Sequence, residues 1–330
     1  MTCYINIMTD VSELPWIEKF RPTSLDEIVD HDDKIKTLKS LVDNGELTHL
    51  LLVGPPGTGK TSMIINLARY IYGKSYKRYI SDINSSSERG IDTIRNQVIQ
   101  FVQCKSDKVK LVILDEADAL TNEAQNALKS VIEKYSKVVR FCLICNDGNK
   151  ITPALHSRCT KLIFSHLSRS SIKKRVTQIV LKEKMKITKP AIDSLVELEN
   201  DFRQILNVLQ GMNSFYDGKK IESKDIYKYL GKPTEDNIQT VIKSLFNDSL
   251  EKAIETISDI QLSGSINLLD LISDLSNSVI KLNLKPEFKA LIFVTLSDVE
   301  SKILQGCSQR ILICLLASAF LKVRDEISKQ

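Results

Sequence analysis

Gly54-Pro55-Pro56-Gly57-Thr58-Gly59-Lys60-Thr61, directly after the apolar run Leu50 to Val53, is the stretch that decides the fold. A strand feeding a glycine-rich loop that ends in Lys-Thr and opens a helix is a phosphate loop of the Walker A type. The glycines let the backbone wrap closely enough for successive N–H groups to face phosphate oxygens, and the next helix adds the positive end of its dipole. Pro55, Gly57, Thr58, Gly59, Lys60, Thr61 and Ser62 are therefore the candidate cradle. Lys60 is expected to reach the β- and γ-phosphates of ATP, and the Thr61 hydroxyl to ligate Mg²⁺.

About fifty residues later, Leu111-Val112-Ile113-Leu114-Asp115-Glu116-Ala117-Asp118 reads as a buried strand ending in carboxylates. Alone it is also the pattern of a solvated acidic turn; paired with the loop it reads as a Walker B element. Asp115 then holds Mg²⁺ through water, and Glu116 orients and polarises the attacking water, since phosphoryl transfer depends mainly on positioning and charge stabilisation. The letters Asp-Glu-Ala-Asp arise wherever such an element precedes Ala-Asp and do not by themselves indicate a helicase.

The 330 residues exceed what one core supports, so two or three domains are expected. With 42% hydrophobic and 26% charged residues the composition is globular, and no apolar stretch approaches the roughly 20 residues of a membrane span. No membrane partner and no secretory signal are expected. The seven scattered cysteines do not form a disulfide framework, and Cys142-Leu-Ile-Cys145 reads as buried strand packing. The four histidines lack metal-ligand spacing, which leaves nucleotide-bound Mg²⁺ as the expected metal. A net charge of +5 suits a polyanionic partner only if the charge gathers on one face.

Residues 1–165 alternate strands near Leu50, Tyr79, Leu111 and Phe141 with helices over Ser62 to Tyr72, Ile91 to Cys104 and Glu123 to Tyr135. This is the α/β rhythm of a parallel sheet with covered faces. Residues 166–232 turn helical, through Ser170 to Lys184, Pro190 to Glu197 and Asp201 to Met212. After the turn at Gly231-Lys232-Pro233, residues 233–330 read as an all-α block with apolar periodicity and few residues that do chemistry, which points to assembly.

Further motifs give these elements a family. They are Leu14-Pro15-Trp16-Ile17-Glu18-Lys19-Phe20-Arg21-Pro22, Asn84 to Gly90, Gln125 to Leu128, Asn146 at the end of the fourth strand, Ser157-Arg158-Cys159, and Asp201 to Asn207. The set resembles the AAA+ clamp-loader family, and within it the small subunits of replication factor C; the similarity is continuous over roughly residues 13–211. Arg95-Asn96-Gln97, Ile132 to Tyr135 and Arg140 to Asn146 narrow it to one group of those subunits.

The resemblance implies an AAA+ P-loop domain over 1–165, a helical lid over 166–232 and a helical collar for oligomerisation over 233–330. It places Ile17, Arg21 and Val29 on the adenine and ribose side of the ATP pocket, Asn146 as first sensor and Arg203 as second, and Arg158 as an arginine finger acting on a neighbour's ATP. It also places Arg89 and Arg95 against DNA phosphates, contacts that position without reading sequence. The implied partners are the other replication factor C subunits of a heteropentamer, a sliding clamp of the PCNA type and primer-template DNA, in the nucleus. From the residues alone Ile17 and Val29 also fit plain core, Arg89 and Arg95 fit a solvated face, Asn146 fits a turn cap, and Arg203 fits a partner of Asp201. Phe101-Val102 fits clamp contact or core alike. Ser85 to Ser87 and Lys129-Ser130 depart from the family's pattern, which puts one basic contact in doubt. Two rival functions stand beside clamp loading: a scaffold subunit that binds ATP without turnover, and a branch-migration motor, which calls for a strand-rich winged helix at the C-terminus.

Overall fold

The structure, a computed structural model, describes residues 14–85, 91–104 and 106–328, with backbone alone for 91–95 and 328. The chain divides into two compact units, one formed by residues 1–184 with 196–211, the other by 185–195 with 212–330.

In the first unit, α1 (Trp16–Lys19) and α2 (Asp32–Asp43) precede β1 (Leu50–Val53), α3 (Lys60–Tyr72), α4 (Tyr76–Tyr79), β2 (Ile80–Asn84) and α5 (Ile91–Gln103). There follow β3 (Lys110–Asp115), α6 (Asn122–Tyr135), β4 (Val139–Cys145), α7 (Pro153–His156), β5 (Thr160–Ile163) and α8 (Arg169–Lys182). All strand pairs are parallel, in the order β2-β3-β4-β1-β5. Parallel strands need crossovers, and the helices cover both sheet faces, which is why β1, β3 and β4 are nearly continuous apolar runs. Cys142 and Cys145 are buried in β4, where burial pushes the Cys145 thiol up to about 12, so both act as packing groups.

The stripe of α6 carries Ala124, Leu128, Val131 and Ile132 into the core, with Tyr135 partly buried beside it. Thr121 caps the helix by accepting the Ala124 N–H. Phe101 and Val102 of α5 also pack, partly buried, on this core. The strand β5 was not expected, because its residues are mostly exposed and give no apolar period to read.

Two further helices, α9 (Lys189–Leu198) and α10 (Phe202–Tyr216), run through the points where the chain passes between the units. Among its described residues the second unit holds one parallel bridge, Ile187 to Ile221, and α11 (Ser223–Leu230). It continues through α12 (Glu235–Asn247), α13 (Leu250–Gly264), α14 (Leu268–Lys281), α15 (Pro286–Leu304) and α16 (Gln309–Ser328). These five helices share one apolar core, from Ile238 and Leu245 through Leu271 and Ile292 to Phe320.

The parallel register decides where chemistry can occur. Val53 pairs with Cys145, and Leu114 with Leu143, so β1, β4 and β3 end at one edge of the sheet. The loop at Gly54, Asn146 and the pair Asp115-Glu116 leave the sheet there side by side, the usual place for a ligand in such folds.

Candidate active site

The loop after β1 is shaped by its glycines. Gly57 sits at φ +72°, and a Cβ there would lie 2.0 Å from Asp201 Oδ1, so no other residue fits without moving that carboxylate. Lys60 opens α3 and is almost fully buried. Its Nζ donates to Gly54 O (2.7 Å), Pro55 O (2.8 Å) and Asn146 Oδ1 (3.0 Å), which joins the loop to the end of β4. Burial pulls the Lys60 pKa below the ordinary lysine value, opposed in part by attraction to Asp115.

Thr61 Oγ1 donates to Asp115 Oδ2 at 2.8 Å, while Asp115 Oδ1 accepts the N–H of Glu116. A hydroxyl and a carboxylate oxygen side by side are hard donors suited to Mg²⁺ with retained waters. Glu116 adopts a left-handed conformation (φ +55°, ψ +41°) that turns the chain off β3 and leaves its side chain exposed. Asp118 then accepts the N–H groups of Asn146 and Asp147, which sets the backbone that presents the Asn146 amide.

Beside the loop lies a cleft of about 380 Å³. Ile17, Arg21, Val29, Gly57, Thr58, Gly59, Thr61, Ser62, Asp115 and Arg203 all line it. Its entry wall is anchored by Trp16, whose ring is buried edge-on to Phe20 and whose backbone N–H donates to Gln210 Oε1. Asp201 caps α10 through the Arg203 N–H (2.8 Å), so the bond between these two residues is made by the Arg203 backbone. Arg158 stands elsewhere, after α7. Its guanidinium donates to Glu133 Oε1 of α6 through Nε (2.8 Å) and Nη2 (2.5 Å), and to Ala154 O through Nη1 (2.7 Å). Arg89 lies outside the described residues, and Arg95 falls on α5 with its side chain outside them.

Phe20, Ile172, Arg175 and Leu206 also line the cleft and were not singled out individually from the sequence. Leu206 could have been found inside the Asp201 to Asn207 motif; Arg175 follows Lys173-Lys174 on α8, where nothing distinguishes it from a solvated basic run.

A five-stranded parallel sheet whose first strand ends in this loop, with Thr-Asp and Lys-Asn pairs closing on it, defines a P-loop nucleotide-binding protein of the AAA+ class. Residues 50–167 match the family described as ATPase family associated with various cellular activities (AAA). Residues 233–319 match the replication factor C C-terminal domain. The chain is 41% identical to replication factor C subunit 3 of Saccharomyces cerevisiae, over 90% of each chain. It is 35% identical to replication factor C subunit 5 of Homo sapiens, over 97% of this chain and 95% of that one. Among solved structures, the RuvB Holliday junction branch migration motor of Thermotoga maritima aligns with a TM-score of 0.51 at 16% identity, over 74% of this chain and 88% of that one. That likeness is one of fold. The chain belongs to the replication factor C small-subunit family of AAA+ clamp loaders, in the group whose members are numbered three or five.

Proposed function

We propose that this chain hydrolyses ATP with Mg²⁺ as one subunit of a heteropentameric replication factor C, which opens a sliding clamp of the PCNA type and places it on primer-template DNA in the nucleus. The observation that carries the hydrolytic reading is the convergence of Lys60, Thr61, Asp115 and Asn146 within hydrogen-bond reach, with the exposed Glu116 next in the chain. A scaffold that binds ATP without turnover would share Lys60, Thr61 and Asp115, so it is the Glu116 carboxylate, placed to act on water, that favours hydrolysis over that rival. In the proposed division, residues 1–165 bind ATP, 166–232 form the lid and 233–330 the collar.

Lys60 leaves its carbonyl partners for the β- and γ-phosphates, which meet its cation and the loop N–H groups together. Thr61, and Asp115 through water, would hold Mg²⁺, which would supply charge neutralisation to the phosphates. Glu116 orients and polarises water, and Asn146, its backbone fixed by Asp118, faces the γ-phosphate or that water. Ile17, Arg21 and Val29 take the adenine and ribose side, Arg203 reads the phosphates from α10, and Arg158 reaches a neighbour's ATP. Arg89 and Arg95 contact DNA phosphate; removing each should lower the salt slope of DNA binding by the assembled loader by about one unit, alike on unrelated sequences.

Lys60 and Glu116 separate binding from hydrolysis. Lys60→Ala should weaken ATP binding, and Glu116→Gln should keep it while stopping turnover. Equal loss of ATP affinity in the two variants, measured by equilibrium binding beside phosphate release, would refute the assignment.

A further inference from the structure

Val29 walls the cleft, and the two residues that follow it, Asp30 and His31, reach beyond it. His31 is 1% exposed, and its ring sits edge-on to Phe164 with centroids 4.7 Å apart. Its Nε2 lies 3.1 Å from the carbonyl oxygen of Thr58, inside the phosphate loop. A carbonyl can only accept, so Nε2 carries the ring hydrogen and donates it; Nδ1 is buried with no hydrogen bond to the described residues.

The bond matters because of what lies across the same peptide unit. The described chain has no cis peptide, and in a planar trans peptide the carbonyl and the following N–H point in opposite directions. A Thr58 carbonyl fastened toward His31 therefore turns the Gly59 N–H away from His31. Gly59 itself lines the cleft, at φ +87° with nothing within 4 Å of where a Cβ would be. Glycine in open space offers little resistance to a peptide flip, which would put a carbonyl oxygen where an N–H is wanted beside phosphate. Thr58 Oγ1 donates to Pro55 O (2.9 Å), but this pins the side chain and leaves the 58–59 peptide to His31.

His31 is itself held from the other side. Asp30, left-handed at φ +64°, accepts the Ser168 N–H (2.6 Å) and the Ser171 hydroxyl (2.5 Å) at the start of α8. The three-residue segment thus links the cleft wall at Val29, the cap of α8 and the phosphate loop.

We propose that His31 is a positioning residue for nucleotide binding, whose Nε2–H fixes the Thr58 carbonyl and so keeps the Gly59 N–H directed at the phosphates. The inference rests on the reading of the cleft as the ATP site. His31→Gln and His31→Met on the full chain provide the test, since both lose the ring contact with Phe164 and only glutamine can donate to Thr58 O. ATP affinity, read by equilibrium binding of a fluorescent ATP analogue, should fall about tenfold from Gln to Met, with Gln within about threefold of the unaltered chain. Equal affinities in the two variants, with both folded by melting temperature, would overturn the role of His31. Failure of the unaltered chain to bind would overturn the ATP site itself. Should the Met variant not fold, ¹⁵N spectra of the histidine-labelled unaltered chain decide the matter: an Nε2–H tautomer at His31 supports the proposal, and an Nδ1–H tautomer refutes it.

Discussion

Gly57→Ala is expected to damage folding and nucleotide binding together, by an amount that depends on Asp201. The added Cβ faces two obstacles. At φ +72° an L-residue bears about 1–2 kcal/mol of backbone strain. It would also lie 2.0 Å from Asp201 Oδ1, the atom that accepts the Arg203 N–H at 2.8 Å and caps α10. Asp is a short side chain, so it yields only by leaving the cap, a loss of about 0.5–2 kcal/mol. The combined cost is about 1.5–4 kcal/mol, or roughly 3–15 °C in melting temperature for a unit of this size. Asp201→Ala removes cap and obstacle together, so Gly57→Ala made in that background should cost only the strain. A double-mutant cycle by urea denaturation should therefore show a coupling of about 1 kcal/mol, with the double variant less destabilised than the sum of the singles. Additive costs, or a Gly57→Ala chain that melts and binds ATP unchanged, would refute the contact between loop and cap.

Two other outcomes are expected. Arg158→Ala should abolish turnover in a complex where only the neighbouring site can hydrolyse, by about 10³- to 10⁵-fold, and leave this chain's own site nearly intact; the reverse pattern in phosphate release would place Arg158 in cis. His31 and His49 are both held below the ordinary histidine pKa, chiefly by burial, so as pH falls the unfolded chain takes up their protons first. Their contribution to stability is complete above about pH 6.5 and declines below it, because ionised His49 could no longer accept the Phe141 N–H at Nδ1. A urea midpoint lower at pH 5.5 than at 7.5, with the difference reduced in His49→Gln, is the expected result, and an unchanged difference would exclude His49.

The sequence revealed those parts of the fold whose physics is local. The phosphate loop, the acidic end of β3 and the stripe on α6 each state their structure within a dozen residues, through glycine spacing or a single apolar period. Strand β5 did not, because it lies at the edge of the sheet, paired on one side by β1, with mostly exposed residues. The bounds of helix α15 are hard to read from the sequence for a related reason. Its buried line of Phe288, Ile292, Leu296 and Val299 is confused by Leu291 and Val294, which are exposed on the same helix. In the site, the loop and Walker B residues could be read directly, whereas the place of Arg175 and the bond from His31 to Thr58 depend on segments distant in sequence.

The left-handed turn at Glu116 sets folding and chemistry against one another at a single position. A side chain other than glycine there is strained by about 1–2 kcal/mol, so glycine would make the turn easier while removing the carboxylate that the proposed hydrolysis requires. A directed-evolution campaign scored on heat resistance alone would therefore favour loss of the acid at this codon, and a thermostable version of the subunit has to be screened for turnover at every round.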